Sequence, residues 1–269
     1  MRIELGGEVA MIFGAARGIG RAIAEGFSEA GATVAYVDRS PSVGFVAGQY
    51  RRHSGRPTAA YVADVTDFDV MCQVADDAFR DLGRVDHLVY AAAIGSGKFG
   101  MPFWNLDPGD WDQVLRVNLL GAVHVGHAFA PRMAEAGRGT ITMIASVAGQ
   151  IGSATDPPYS ASKAALINFA QCAARDLAAS NVRVNTINPG MVNTPLNRSV
   201  YEAWTATQPR EARQSWEEWT SEKIQRLVPL NRWQEPEDLA AMAVFLASSL
   251  AKNITGQTIN VDGGYVMHW

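Results

Sequence analysis

Short apolar runs alternating with helical segments constrain this chain more than any other feature. Val9-Ala10-Met11-Ile12-Phe13 offers no polar side chain to water, which marks a strand buried on both faces. A glycine-rich turn follows, then a helical stretch near 18–30 that stops at Gly31. The same alternation predicts strands at 33–37, 58–62, 86–91, 139–145, 182–188 and 257–261. It predicts helices at 43–53, 67–82, 158–179 and 236–248, and one more running from the N-cap and proline pair Asp107-Pro108 to about 134. Alternation of this length implies an α/β fold, one parallel sheet of about seven strands with helices on both faces and right-handed crossovers.

No composition shift divides the 269 residues, so 1–269 reads as a single domain. The segment 193–233 departs from the pattern: it is polar, rich in Trp, Glu and Arg, and carries no strand signal. It is too long for a passive connection and reads as a helical flap over the site. Net charge is -4 with no long run of one sign, which argues against a nucleic-acid or membrane-surface partner. No stretch of about twenty apolar residues exists to cross a membrane, and Met1 to Gly7 lacks the apolar core of a secretion signal. Cys72 and Cys172 stand far apart in no metal spacing, so a cytoplasmic protein with reduced thiols is expected. His124 and His127 have helical spacing for a metal pair but no third ligand in sequence, and no metal is expected.

Gly14-Ala15-Ala16-Arg17-Gly18-Ile19-Gly20 joins the first strand to the first helix. Glycines there let the backbone approach a pyrophosphate, and the helix N-terminus favours its charge. Asp38 ends the second strand, where a carboxylate accepts hydrogen bonds from ribose hydroxyls and repels a 2′-phosphate. This predicts NAD over NADP; Arg17 and Arg39 are the counter-argument, since either could meet a phosphate. Asp64 could bond the adenine amine, cap the helix at 67–82, or do both.

Tyr159 and Lys163 stand four residues apart, on one face of a helix, with Ser146 upstream. A phenol is a poor base near neutrality unless a neighbouring cation lowers its pKa, by roughly 1–3 units for a close ammonium. The pair alone also fits an ordinary helix surface.

Taken in order, these residues resemble the short-chain dehydrogenase/reductase family over nearly the whole chain. The resemblance rests on Gly14-x-x-x-Gly18-Ile19-Gly20, Asp38, Asp64, Asn118, Ser146, Tyr159-x-x-x-Lys163, Asn188-Pro189-Gly190 with Thr194, and Val261-Asp262-Gly263-Gly264. It implies a Rossmann-like sheet and an oxidoreductase. Tyr159 would be the acid/base, Lys163 its pKa modulator and ribose anchor, and Ser146 the partner of the reacting oxygen. Asn118 would hold a water that links Lys163 to solvent. Val65 and Ala92 would border the cofactor with the glycine turn, and Pro189, Gly190, Val192 and Thr194 would border the nicotinamide. Thr194 could also be only a turn residue before Pro195. Two departures bear on local bonding and cofactor affinity: Phe13 replaces the family's threonine, and Tyr90-Ala91-Ala92-Ala93 replaces Asn-Asn-Ala-Gly.

The expected substrate is a secondary alcohol in a polyol or sugar, lined by Ser146, Gln150, Ser153, Tyr159 and the 193–204 segment. The alternatives are a carbonyl reductase acting on an oxoacyl thioester or small ketone, and a non-catalytic NAD-binding sensor. Trp204, Trp216, Trp219, Trp233 and Trp104 could stack on a substrate or pack the flap. The alanine-rich helices at 109–134 and 158–179 suit the family's usual homotetramer, or burial within one chain. The aromatic tail from Tyr265 to Trp269 is expected to dock.

Overall fold

The computed structural model describes residues 3–98, 102–152 and 155–267. Among these, seven parallel strands run β1 (Val9–Phe13), β2 (Thr33–Asp38), β3 (Thr58–Val62), β4 (His87–Tyr90), β5 (Gly139–Ile144), β6 (Val182–Pro189) and β7 (Thr258–Val261). Their spatial order is β3-β2-β1-β4-β5-β6-β7. The order reverses direction between β1 and β4, which opens a crevice at the carboxyl ends of those strands. In register, Phe13 lies beside Tyr90, and Tyr90 beside Met143.

Helices α1 (Gly18–Glu29), α2 (Ser42–Ser54) and α9 (Pro236–Ala247) cover one face, and α3 (Phe68–Leu82), α5 (Gly121–Glu135) and α6 (Pro157–Leu177) cover the other. The cause is the pleat. Ile12, Val34, Tyr36 and Ile187 point into the first core, Met11, Phe13, Leu88 and Val184 into the second.

The long helix expected from 107 to 134 is interrupted. α4 (Gly109–Leu115) meets α5 through a π-helical turn over Arg116–Leu120. No proline or glycine falls within Arg116–Leu120 to mark the interruption in the sequence. Asp107 does not provide the expected side-chain cap; its own N–H donates to the Asp110 carboxylate at 2.9 Å. Asp64 does not cap α3 either. Asp67 does, while Asp64 accepts the Thr66 N–H and hydroxyl.

Between β6 and α9 the chain forms α7 (Pro195–Thr207) and α8 (Trp216–Leu227). The tryptophans of this segment pack on one another. Trp216 stacks on Trp219 and Trp233 at 5.7 and 5.9 Å, and the Arg198 guanidinium lies 4.9 Å over Trp216. Lys223 sits 3.9 Å over Trp219, and burial pushes its ammonium down to about 8. These rings are a local core rather than an open platform; Trp104, by contrast, is exposed beside Phe103. The tail is held through Val266, whose N–H donates to Asp262 and whose carbonyl accepts from Asn260. His268 and Trp269 lie outside the described residues.

Phe129 is fully buried, with its ring 5.7 Å from Phe13 and 6.1 Å from Phe79. Phe129→Ala is expected to cost about 3–5 kcal/mol of stability in urea unfolding. A loss under about 1 kcal/mol would show that this core collapses around the cavity.

Candidate active site

The glycine turn forms between β1 and α1 as sequence and sterics require. Gly14 and Gly18 have positive φ, and a Cβ on Gly20 would lie 2.1 Å from the Gly14 carbonyl oxygen. The N-terminus of α1 has no side-chain cap and no acid in its first turn. By contrast, Asp67, Asp156, Thr194 and Ser215 close the N-termini of α3, α6, α7 and α8. Uncapped N–H groups at the positive end of a helix fit an anion such as a pyrophosphate. Ile19 packs against the core beneath, which fixes the turn to the sheet.

Beside it lies a cleft of about 850 Å³ lined by Ala16, Arg17, Asp38, Arg39, Val62 and Asp64 among others. Asp38 accepts the N–H of Ala16 at 3.0 Å and of Ser40 at 2.9 Å. Its carboxylate is thus held in place with lone pairs left for hydroxyl donors. The exposed Val62 side chain offers the cleft an apolar wall. These groups fit an adenosine with free ribose hydroxyls; Arg17 and Arg39 line the same cleft.

Other candidate residues gather beside the glycine turn. A Cβ on Gly14 would lie 2.6 Å from the Ala92 nitrogen, and one on Gly18 would lie 3.9 Å from Thr194 Cγ2. So the turns after β1, β4 and β6 abut. Thr194 caps α7, accepting the Asn197 N–H at 3.5 Å. Gly190 donates to Val261 and Gln234, Val192 bridges to Gln234, and Pro189 ends β6. Buried Val65 accepts from the His124 ring at 2.9 Å. No group of three or more metal-ligating side chains is found among the described residues.

Ser146 follows β5 and Tyr159 opens α6, which brings the serine hydroxyl beside the phenol. Gly149 allows the approach, because a Cβ there would lie 2.7 Å from the Lys163 carbonyl carbon. Lys163 is 1 % exposed, donates to the Ile144 carbonyl at 2.7 Å, and lies 5.6 Å from the Tyr159 ring centre. Burial pushes the Tyr159 phenol up to about 12, while the neighbouring Ser146 hydroxyl opposes the rise. Burial also pushes the Lys163 ammonium down to about 7. Without cofactor, both groups are therefore biased toward their neutral forms.

Asn118, in the π-turn, is fully buried. Its Oδ1 accepts the Ile94 N–H at 2.8 Å, and its Nδ2 donates to the Ile94 carbonyl and to Ser162 Oγ, both at 2.9 Å. Both amide hydrogens are spent on protein, so the side chain braces the loop after β4 against α6. Gln150 is half-buried in the loop after β5. Ser153 lies outside the described residues.

Sequence reasoning missed two members. Asp156 is buried, caps α6 at the Tyr159 N–H, and accepts the Ser96 N–H at 2.8 Å. The signal was present in Asp156-Pro157-Pro158, the pattern of an N-cap followed by proline at the first helical positions. Ser162 Oγ donates to the Tyr159 carbonyl at 2.7 Å, a contact no local pattern announces.

Comparison with known proteins agrees with this architecture. Residues 14–266 match the family model described as enoyl-(acyl carrier protein) reductase. The 3-oxoacyl-acyl-carrier-protein reductase of Thermotoga maritima is 34% identical, over 99% of this chain and 100% of its own. The D-threitol dehydrogenase of Mycolicibacterium smegmatis is also 34% identical, over 98% and 95%. The L-sorbose reductase of Gluconobacter frateurii, solved with NADPH and L-sorbose, superposes with a TM-score of 0.90 at 28% identity over 100% of both chains.

An alanine at Gly20 cannot keep the turn. Gly20→Ala is expected to weaken binding of a nicotinamide dinucleotide at least about tenfold, or 1.4 kcal/mol, in calorimetric titration. Undiminished affinity would place the pyrophosphate elsewhere.

Proposed function

The chain belongs to the short-chain dehydrogenase/reductase family, and on that premise we propose that it oxidises a secondary alcohol of a polyol or sugar with NAD. The observation that carries the reading is fully buried Lys163 under the half-buried Tyr159 ring, with Ser146 beside them, on the same sheet whose second strand presents Asp38 to a nucleotide-sized cleft. A desolvated lysine under a half-buried tyrosine suits proton transfer to and from a bound substrate.

Tyr159 takes the hydroxyl proton of the alcohol, and Ser146 holds the same oxygen as the carbonyl forms. Lys163 favours the phenolate when charged and holds the nicotinamide ribose. Bound NAD supplies the hydride acceptor. Gly14, Arg17, Gly18, Ile19 and Gly20 would hold the pyrophosphate, and Asp38, Asp64, Val65 and Ala92 the adenosine side. Pro189, Gly190, Val192 and Thr194 would hold the nicotinamide side. Asp38 supports NAD through repulsion of a 2′-phosphate, although the sorbose reductase was solved with NADPH. The polyol reading draws support from the threitol dehydrogenase and the sorbose reductase. Identity to 3-oxoacyl-acyl-carrier-protein reductase favours a second reading, reduction of an oxoacyl thioester. A cytoplasmic homotetramer packed through α5 and α6 is part of the proposal, and a monomer in gel filtration would reject it.

The test is initial rates with NAD and NADP on a panel of polyols, sugars, small diols and hydroxy esters, and of the oxoacyl thioesters in reverse. Turnover of a polyol or sugar is expected, at least about tenfold better with NAD and abolished in Tyr159→Phe. Asp38→Ala should then raise relative use of NADP. Preference for a thioester with NADPH would select the second reading. Because Tyr159 must lose its proton to act as base, oxidation should quicken as pH rises and reduction should slow. Ser146→Ala removes the bond that draws the phenol down, so the oxidation limb should move to higher pH, with kcat falling about a hundredfold or more. An unmoved limb would remove Ser146 from the reaction.

A further inference from the structure

We propose that Tyr90 is a positioning residue for the chemistry at Tyr159, acting through the π-turn between α4 and α5. The inference rests on the reading of Tyr159 as the acid/base group.

Tyr90 ends the central strand β4 and is 2 % exposed. Its hydroxyl leaves the sheet and donates to the Val117 carbonyl, inside the π-turn, at 2.5 Å. Burial keeps this phenol protonated, so it is a permanent donor. The next residue, Asn118, is bonded to Ile94 on one side and to Ser162 Oγ on the other. Ser162 in turn donates to the Tyr159 carbonyl at 2.7 Å. A connected path therefore runs from β4 through the turn to the backbone of Tyr159, along side chains that are all buried.

The space for this contact is made by Gly121, the first residue of α5. A Cβ there would lie 2.4 Å from the Tyr90 hydroxyl oxygen and 2.7 Å from Val65 Cγ2. A long donor at position 90 and a residue without a side chain at 121 are thus matched. A π-turn displaces one residue relative to ordinary α-helix. If Val117 loses its donor, its carbonyl can regain a partner by a return of the turn to α-geometry. That change would rotate Asn118 away from Ile94 and Ser162 and release the first turn of α6.

A tyrosine that only fills the core would behave differently, and the chain contains a control. Tyr36 is also fully buried, but its hydroxyl has no hydrogen-bond partner among the described residues. The experiment compares wild type, Tyr90→Phe and Tyr36→Phe on the alcohol found active, with Tyr159→Phe as zero. Tyr90→Phe is expected to lower kcat about tenfold, to leave KM for NAD within about twofold, and to move the oxidation limb to higher pH as the Tyr159 contact with Ser146 loosens. Tyr36→Phe should match wild type. Ser162→Ala should reproduce the Tyr90→Phe signature, and the double variant should be no worse than either single one.

Wild-type kcat and pH profile in Tyr90→Phe would overturn the proposal while leaving the role of Tyr159 intact. So would a Tyr90→Phe protein whose only change is lower stability. If that variant cannot be recovered folded, a normal pH limb in Ser162→Ala overturns the proposal from the far end of the path. A wild type that turns over no alcohol or ketone, or an active Tyr159→Phe, would instead remove the reading of Tyr159 and the role of Tyr90 with it.

Discussion

Parallel pairing of all seven strands is the constraint on which this structure depends. Parallel neighbours need a crossover that returns the chain to its starting edge, so every strand ends on the same side of the sheet. Gly14, Asp38, Asp64, Ala92, Ser146 and Gly190 follow or end six different strands, and all therefore emerge at one edge. The reversal of strand order between β1 and β4 then opens that edge into a crevice. A site assembled this way needs no residue to be near another in sequence.

Asn118, Ser162 and Lys163 are buried at the floor of this crevice, and that burial decides how its polar groups behave. Tyr159 and Lys163 are both pushed toward neutrality by burial. Their charges become available only against nearby dipoles and ions, which makes the proton balance between them sensitive to small displacements. The surrounding bonds restrict such displacements. Asp156 ties the start of α6 to the loop after β4, Asn118 ties that loop to Ser162, and Ser160 donates to Ala148 and Ile151 carbonyls in the loop carrying Ser146.

The departures from the family pattern are accommodated at the same place. Phe13 packs edge-on against Phe129, and its carbonyl still accepts the Ala91 N–H at 2.9 Å. Ala93 is not among the described residues with positive φ, so its methyl imposes no left-handed strain. Tyr90 fills the second core with its ring and reaches the π-turn with its hydroxyl, one side chain serving both packing and polar bonding.

The apolar runs and glycine stops were enough to read the strands and helices within a few residues, because periodicity and backbone sterics are local. The nucleotide turn was legible for the same reason, and so was the Tyr159–Lys163 pair, since four residues on a helix define one face. Other features were decided by neighbours distant in sequence. The interruption at Arg116–Leu120, the bracing role of Asn118, and the packing of Trp216 on Trp219 and Trp233 all depend on contacts between elements. Asp107 and Asp156 carry the same local cap signal, yet only Asp156 caps its helix through its side chain and joins the site. The sequence alone determined which groups could take a proton and hold a nucleotide. Only the tertiary structure decided their protonation preferences and partners, because desolvation and hydrogen-bond geometry are sums over every atom packed around a group.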